Sequence, residues 1–186
     1  MQALWDHAQG VVIGMIALLL LLGIQERARE ARTEATLYVM ARSELMAFVE
    51  MLEADLANIG SGVPAGEAKL LSGDSLHLEF RRRIEANGPI RTVRYVRLFS
   101  RYGPDGRPLY EVRRYLDGAP AGSGPSALRA FRFELLNDAG QPTTIASEVR
   151  QIRVYLAAAY PFDQQKGYLP HTRWQATYRP RALAQS

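Results

Sequence analysis

Between Val11 and Ile24 the chain reads VVIGMIALLLLLGI, without one polar side chain. A bilayer crossing takes about 20 predominantly apolar residues, so the run is short for a full span and reads as a retained, membrane-inserted helix. From Gln25 the composition turns to Glu, Arg, Ala, Leu and Met, all strong helix formers, and no proline intervenes before Pro64. Tyr38, Ala41, Leu45, Phe48, Leu52, Leu56 and Ile59 then recur every three or four residues. That spacing predicts an amphipathic helix with one apolar stripe against a packed partner. Gly60, Ser61, Gly62 and Pro64 mark its end, a glycine C-cap followed by a residue that cannot continue the helix. Residues 11–59 are therefore expected to form one continuous helix.

Beyond Pro64 the period drops to two. Leu76, Leu78 and Phe80 alternate with His77, Glu79 and Arg81, and further strands are expected at 90–99, 108–116, 128–135, 149–156 and 171–179, the one from 149 ending at Pro161. Pro104-Asp105-Gly106 is a turn signal between two of them. On the last strand Thr172, Trp174, Ala176 and Tyr178 share a face. The short connections favour antiparallel pairing. The stretch from Asp117 to Ser126, rich in Gly, Pro and Ser, reads as a surface loop. The expected class is α+β: a long N-terminal helix, apolar in its first half and amphipathic in its second, packed on an antiparallel sheet. Its divisions are 1–10 (a candidate leader), 11–24 (the apolar helix), 25–60 (its continuation into the globular part) and 61–186 (the sheet).

Composition narrows the chemistry. The 186 residues include no cysteine, which removes disulfide scaffolds, thiolate zinc sites, iron–sulfur clusters and cysteine nucleophiles. The three histidines, His7, His77 and His171, lie far apart and form no HExxH pair. His77 and His171 fall on polar strand faces. Glu50, Glu53 and Asp55 read as a solvated helix flank, since acid–base work needs convergent carboxylates. Ser43 and Ser147 have no GxSxG context, and neither GxxxxGK[ST] nor GxGxxG occurs. No enzyme activity and no cofactor are expected.

The net charge is +4, and only Lys69 and Lys166 among the 23 basic residues are lysines. Arg81, Arg82, Arg83, Arg94, Arg97, Arg113 and Arg114 make a candidate anionic-ligand surface, with tyrosines interleaved as single-strand binding requires. Glu79, Glu85, Glu111, Asp105 and Asp117 interrupt it, so DNA is the lesser expectation.

Arg42-Ser43-Glu44-Leu45 through Glu53-Ala54-Asp55-Leu56-Ala57-Asn58-Ile59-Gly60 resembles the helix end of PilW-type minor pilins and J-type minor pseudopilins. Arg94-Tyr95-Val96-Arg97-Leu98 with Leu109-Tyr110-Glu111-Val112-Arg113-Arg114 is similar to their paired strands, and Arg179-Pro180-Arg181-Ala182-Leu183 to their C-terminal ending. The resemblance to type IV pilin-like minor subunits implies a pilin-like fold and a non-enzymatic role in initiating or capping a type IV pilus or type II secretion filament. It implies leader cleavage between Gly10 and Val11. The N-terminus is atypical: the family's Phe-Thr-Leu-x-Glu is absent, and Met15 stands at the glutamate position, as in tip subunits that have no neighbour ahead. Val11, Val12, Ile13, Met15, Ile16, Leu18, Leu19, Leu20, Leu21, Leu22 and Ile24 would then pack against other pilin or pseudopilin subunits. An inner-membrane assembly platform is a further implied partner. Localisation is expected at the bacterial inner membrane, single pass, with the C-terminal domain outside the cytoplasm or in a periplasmic or extracellular filament. Arg27, Arg29 and Arg32 on the C-terminal flank oppose that orientation under the positive-inside rule. The alternative is a permanently anchored envelope protein whose arginine-rich sheet binds an anionic ligand or DNA.

Overall fold

The computed structural model describes the backbone of residues 2–159 and 171–184, and the side chains of 14–159 other than Glu34 and of 172–184. Helix α1 spans Gln2–Ala57. The strands are β1 (Leu70–Gly73), β2 (His77–Arg83), β3 (Ile90–Tyr102), β4 (Pro108–Leu116), β5 (Ala119–Ser123), β6 (Leu128–Leu136), β7 (Gln151–Ala159) and β8 (His171–Tyr178). A short helix α2, Arg181–Ala184, follows. The chain divides into two compact units, residues 1–40 and 41–186. Pro161 lies outside the described residues.

The first unit is helix alone. Every described side chain in it is exposed. Among the described residues no helix is long and apolar enough to cross a membrane. That corrects the expectation of an apolar first half and, with it, of a pilin-like fold. The reason is length: the run from Val11 to Ile24 rises only roughly 21 Å against the ~30 Å of a hydrocarbon core, and Glu26, Arg27, Arg29 and Glu30 follow at once. Tyr38, placed in the apolar stripe by its spacing, is 42% exposed.

The second unit is an α+β domain. Its sheet runs in the order β1-β2-β3-β4-β6-β7-β8 with β5 hydrogen-bonded to β4, and every pairing is antiparallel. Strand period decides what faces inward. Leu78 and Phe80 of β2, Val93 and Tyr95 of β3, Val112 of β4, Phe131 and Phe133 of β6, and Ile152, Val154 and Leu156 of β7 form the core. Leu45, Phe48, Val49, Leu52 and Leu56 of α1, with Ile59 just beyond its end, close it. Thr172, Trp174, Ala176 and Tyr178 share a face as expected, since they pair with Ala158, Leu156, Val154 and Ile152. The rings of Phe48, Tyr95, Phe131 and Phe133 meet edge-on or tilted, with centroids 4.9–6.5 Å apart.

Two local features depart from expectation. Asp117–Ser126 is no free loop: Asp117 (φ 48) and Gly118 (φ 84) make a tight two-residue turn that folds β5 back on β4. β1 was hidden because Leu70–Gly73 is too short to show a period. The helix end is as read, with Gly60 in the left-handed region (φ 74) and its N–H donated to the Arg81 carbonyl at 2.8 Å.

Candidate functional site

Asp55 is buried, and it is the centre of the polar structure of the domain. It sits three residues beyond Leu52 and seven beyond Phe48, so it lies on the packed face of α1 rather than on the solvated flank expected for it. Three strands deliver its partners in the same apolar phase: Arg82 follows Leu78 and Phe80 on β2, Tyr95 follows Val93 on β3, and Arg114 follows Val112 on β4. Asp55 Oδ1 accepts from Arg82 Nη1 at 2.8 Å and from Arg114 Nη2 at 3.2 Å. Oδ2 accepts from Arg114 Nε at 2.6 Å and from the Tyr95 hydroxyl at 2.6 Å. Four donors saturate the lone pairs of the carboxylate, and the Arg114 fork is bidentate. Arg82 Nη1 also donates to the Ala54 carbonyl at 2.7 Å, while its Nε is buried with no partner.

This hub carries two guanidinium charges against one carboxylate. Burial pushes the Tyr95 hydroxyl well above its ordinary range, and the adjacent Asp55 charge and hydrogen bond push it further. For Arg114, burial works against the charged form, but the Asp55 hydrogen bond and charge outweigh it and hold the guanidinium above its usual value. With an aspartate this saturated and a phenol this hard to ionise, the chemistry on offer is structural: the hub ties α1 to the middle of the sheet. A second tie runs from the Tyr178 hydroxyl to Glu53 Oε1 at 2.8 Å. Glu50, the third acid of that group, is exposed.

The seven arginines read as one anionic-ligand surface do not form one. Arg82 and Arg114 are buried in the hub. Register puts Arg81, Arg83, Arg94 and Arg113 on the outer face of the sheet, and Arg82, Arg97 and Arg114 on the inner one. Arg81 pairs with Glu67 at 3.2 Å and Arg113 with Glu111 at 2.6 Å. The Arg94 guanidinium stacks on Tyr115 at 4.8 Å and that of Arg97 on Tyr110 at 4.4 Å. Arg83 lies exposed, against Gly62. Period-two alternation had the contrary signal, because contiguous arginines on a strand must point to opposite faces.

No protein-family model, curated protein or solved structure matches this chain.

His77 and His171 belong to β2 and β8, far apart in the strand order, so they share no ligand; the His171 side chain and all of His7 beyond its backbone lie outside the described residues. His77 instead closes a hairpin: its Nδ1 lies 2.9 Å from Asp74 Oδ2 and its Nε2 3.3 Å from the Ser72 hydroxyl. Ser72 Oγ also donates to Glu79 Oε2 at 3.3 Å, so the imidazole competes with a carboxylate for the only hydroxyl proton. A nucleophile needs that proton committed to its base. Burial pushes the Asp74 carboxyl up, but N–H donation from Leu76 and His77 and the imidazole beside it bring it below its ordinary value. The group reads as a turn lock.

The other sequence-derived site lies on the first unit. The side chains of Val11, Val12 and Ile13, and the candidate cleavage point at Gly10, fall outside the described side chains, though their backbone is helical. Met15, Ile16, Leu18, Leu19, Leu20, Leu21, Leu22 and Ile24 are each 52–67% exposed.

Proposed function

We propose that this chain is a non-enzymatic structural subunit that assembles with other helical subunits through α1, in the manner of a minor pilin or pseudopilin at the initiating end or tip of a filament. The observation that carries this reading is the exposure of eight large apolar side chains among the ten residues from Met15 to Ile24. Monomeric soluble proteins leave few contiguous apolar patches uncovered. Burying a Leu or Ile side chain is worth about 1.5–3 kcal/mol, so covering all eight contributes on the order of 10 kcal/mol. That is comparable with the ~4–15 kcal/mol cost of association. A run too short for a full span is accommodated in a membrane by thinning or by association with other helices, which favours assembly over permanent anchoring.

In this mechanism the run is held at the inner membrane and passes into a helix-lined filament outside the cytoplasm. Neighbouring subunits, delivered by an assembly platform, then cover it. The sheet domain, locked by the Asp55 hub, stays folded throughout. The alternative of a permanently tethered anion binder loses support because its arginines are divided between the two sheet faces.

The absence of native cysteine makes the test clean. Leu20→Cys introduces a single thiol, which oxidation should cross-link to a neighbouring subunit carrying the same kind of engineered thiol in its helix. Shearing should release the chain with filaments, and Leu20→Arg should abolish that release. A chain that stays with the membrane after shearing, with its thiol uncross-linked, would refute the assembly role. The intact mass reads the processing: a start at Val11 with a methylated amine fits a filament subunit, and a start at Met1 fits an uncleaved anchor.

A further inference from the structure

An asparagine side chain carries an electrophilic amide carbon, and the backbone nitrogen of the next residue lies within reach of it. Attack closes a five-membered imide when the following residue has no Cβ in the way and the side chain is free to turn. The chain holds three asparagines, Asn58, Asn87 and Asn137. Asn58 precedes β-branched Ile59, and its Nδ2 donates to the Ala54 carbonyl at 2.8 Å. Asn137 precedes Asp138, and its Oδ1 accepts from the Gln141 N–H at 2.9 Å. Asn87 alone precedes a glycine, Gly88, in the connection between β2 and β3. It is exposed, and among the described residues its side chain makes no hydrogen bond.

The aspartates that precede glycine, Asp105 and Asp117, do not compete. Ring closure at an aspartate needs the neutral acid, because an ionised carboxylate repels the electron pair of an incoming nitrogen. The Arg129 hydrogen bond, helped by the Arg107 N–H, holds Asp105 below its ordinary value, and the Thr92 N–H and then Arg91 do the same for Asp117. Those partners also fix Asp117 in place, at 2.8 Å from the Thr92 nitrogen and 2.7 Å from Arg91 Nη1.

We infer that Asn87 is a self-modifying site, which converts to aspartate and isoaspartate through a succinimide formed with Gly88. Hydroxide takes the Gly88 N–H proton, and the nitrogen electron pair attacks Asn87 Cγ. The Cγ–Nδ2 bond breaks, and the amide nitrogen leaves as ammonia with a proton from water, which restores the hydroxide. One water then opens the ring. Addition at Cγ breaks its bond to the Gly88 nitrogen and gives aspartate. Addition at the main-chain carbonyl breaks the original peptide bond and leaves the chain running through Cγ as isoaspartate. The Gly88 N–H is donated to the Glu85 carbonyl at 3.0 Å, so the turn must release it before the attack. The product changes the connection, which reads IEANGP: Glu85 is its one charge, and a second carboxylate joins it with no cation in the loop. Isoaspartate also adds a methylene to the backbone, beyond the closing pair of Arg83 with Ile90. This inference does not rest on the filament role.

The test incubates the full chain at 37 °C, at pH 6 and at pH 8, beside the synthetic peptide IEANGPIR. Trypsin then releases the peptide from Ile84 to Arg91, which is read by mass spectrometry with separation of aspartate from isoaspartate. At pH 8 that peptide should gain the mass of an NH2-to-OH exchange and appear as both products. The pH 6 sample should lag because hydroxide is scarcer, and the folded chain should lag the synthetic peptide because of the turn. Asn87→Gln should keep its mass, since the longer side chain must close a larger ring, and the peptides holding Asn58 and Asn137 should keep theirs. A folded chain left unmodified after the synthetic peptide has fully converted would overturn the inference. So would conversion of Asn58 or Asn137 as fast as Asn87, because exposure and the following glycine would then select nothing. Aspartate without isoaspartate would overturn it too, since direct hydrolysis would have replaced the ring.

Discussion

Removing the Asp55 carboxylate tests the centre of the fold. Asp55→Ala leaves the Arg82 and Arg114 guanidiniums buried without a counter-charge and strands the Tyr95 hydroxyl. Breaking a buried pair by deleting one partner costs about 3–5 kcal/mol, and an orphaned buried hydroxyl adds about 1–3 kcal/mol. The sum is a large share of the ~5–15 kcal/mol that holds an ordinary domain together. With a urea m-value of about 2 kcal/mol/M, a loss of 4 kcal/mol moves the unfolding midpoint down by about 2 M. The assay is urea unfolding followed by near-UV circular dichroism, which reports the Phe48, Tyr95, Phe131 and Phe133 cluster. The companion variant Asp55→Leu, Arg82→Met, Arg114→Met removes all three charges together. Apolar replacement of a complete buried ion group is often neutral or stabilising, so this triple variant should be more stable than Asp55→Ala by about 3 kcal/mol. An Asp55→Ala midpoint within 0.5 M of wild type, taken here as roughly 1 kcal/mol, would refute the argument. A triple variant as weak as the single one would refute the assignment of its cost to unpaired charge.

Three further outcomes are expected. Burial and the neighbouring carboxylates Asp55 and Glu53 raise Tyr95 and Tyr178 above the ordinary 10.0, so their contribution to stability is fully present below pH 10 and is lost as pH rises beyond it; Tyr95→Phe should flatten that alkaline fall in a pH series of thermal midpoints. The Thr92 N–H and then Arg91 lower Asp117 beneath 3.8, so its contribution is present above that pH and disappears as pH falls through the folded value; Asp117→Asn should make stability less acid-sensitive below pH 4. A Cβ on Gly124 would stand 2.9 Å from the Phe48 ring, and one on Gly60 would stand 2.8 Å from the Ala182 Cβ at a φ of +74, so Gly124→Ala and Gly60→Ala should each cost about 1–3 kcal/mol by urea unfolding.

The expected strand segments and the apolar stripe from Leu45 to Ile59 were legible because each is a long run with one clear period. β5 was not: Ala-Pro-Ala-Gly-Ser has no strand propensity, and only the Asp117-Gly118 dipeptide marked its turn. The hub was legible in principle. Asp55, Arg82 and Arg114 each occupy an apolar phase of their element, and a charge in such a phase signals a buried partner. Reading the acids and the arginines as surface groups by residue type hid the one geometry that joins them. That the Phe99 and Tyr102 rings stand on one face could not be read at all, because strict alternation puts them on opposite faces and nothing local to Ser100 announces the bulge there.

Apolar packing alone does not explain why α1 settles in one register. Leu45, Phe48, Val49, Leu52, Leu56 and Ile59 repeat every three or four residues, so a shift by one helical turn would exchange one large apolar side chain for another. The same shift would carry Asp55 away from Arg82, Tyr95 and Arg114 and set an apolar side chain against two guanidiniums. The hub therefore penalises slipped registers that the leucines would tolerate, in the way one buried polar residue selects register in a coiled coil. Stability and uniqueness separate in the apolar triple variant, which should keep most of its midpoint while losing definition. Its amide NMR spectrum should show doubled or broadened resonances for residues 45–59 and for β2 to β4. A single sharp set, as dispersed as wild type, would show that packing shape alone chooses the register and would reduce the hub to a tie.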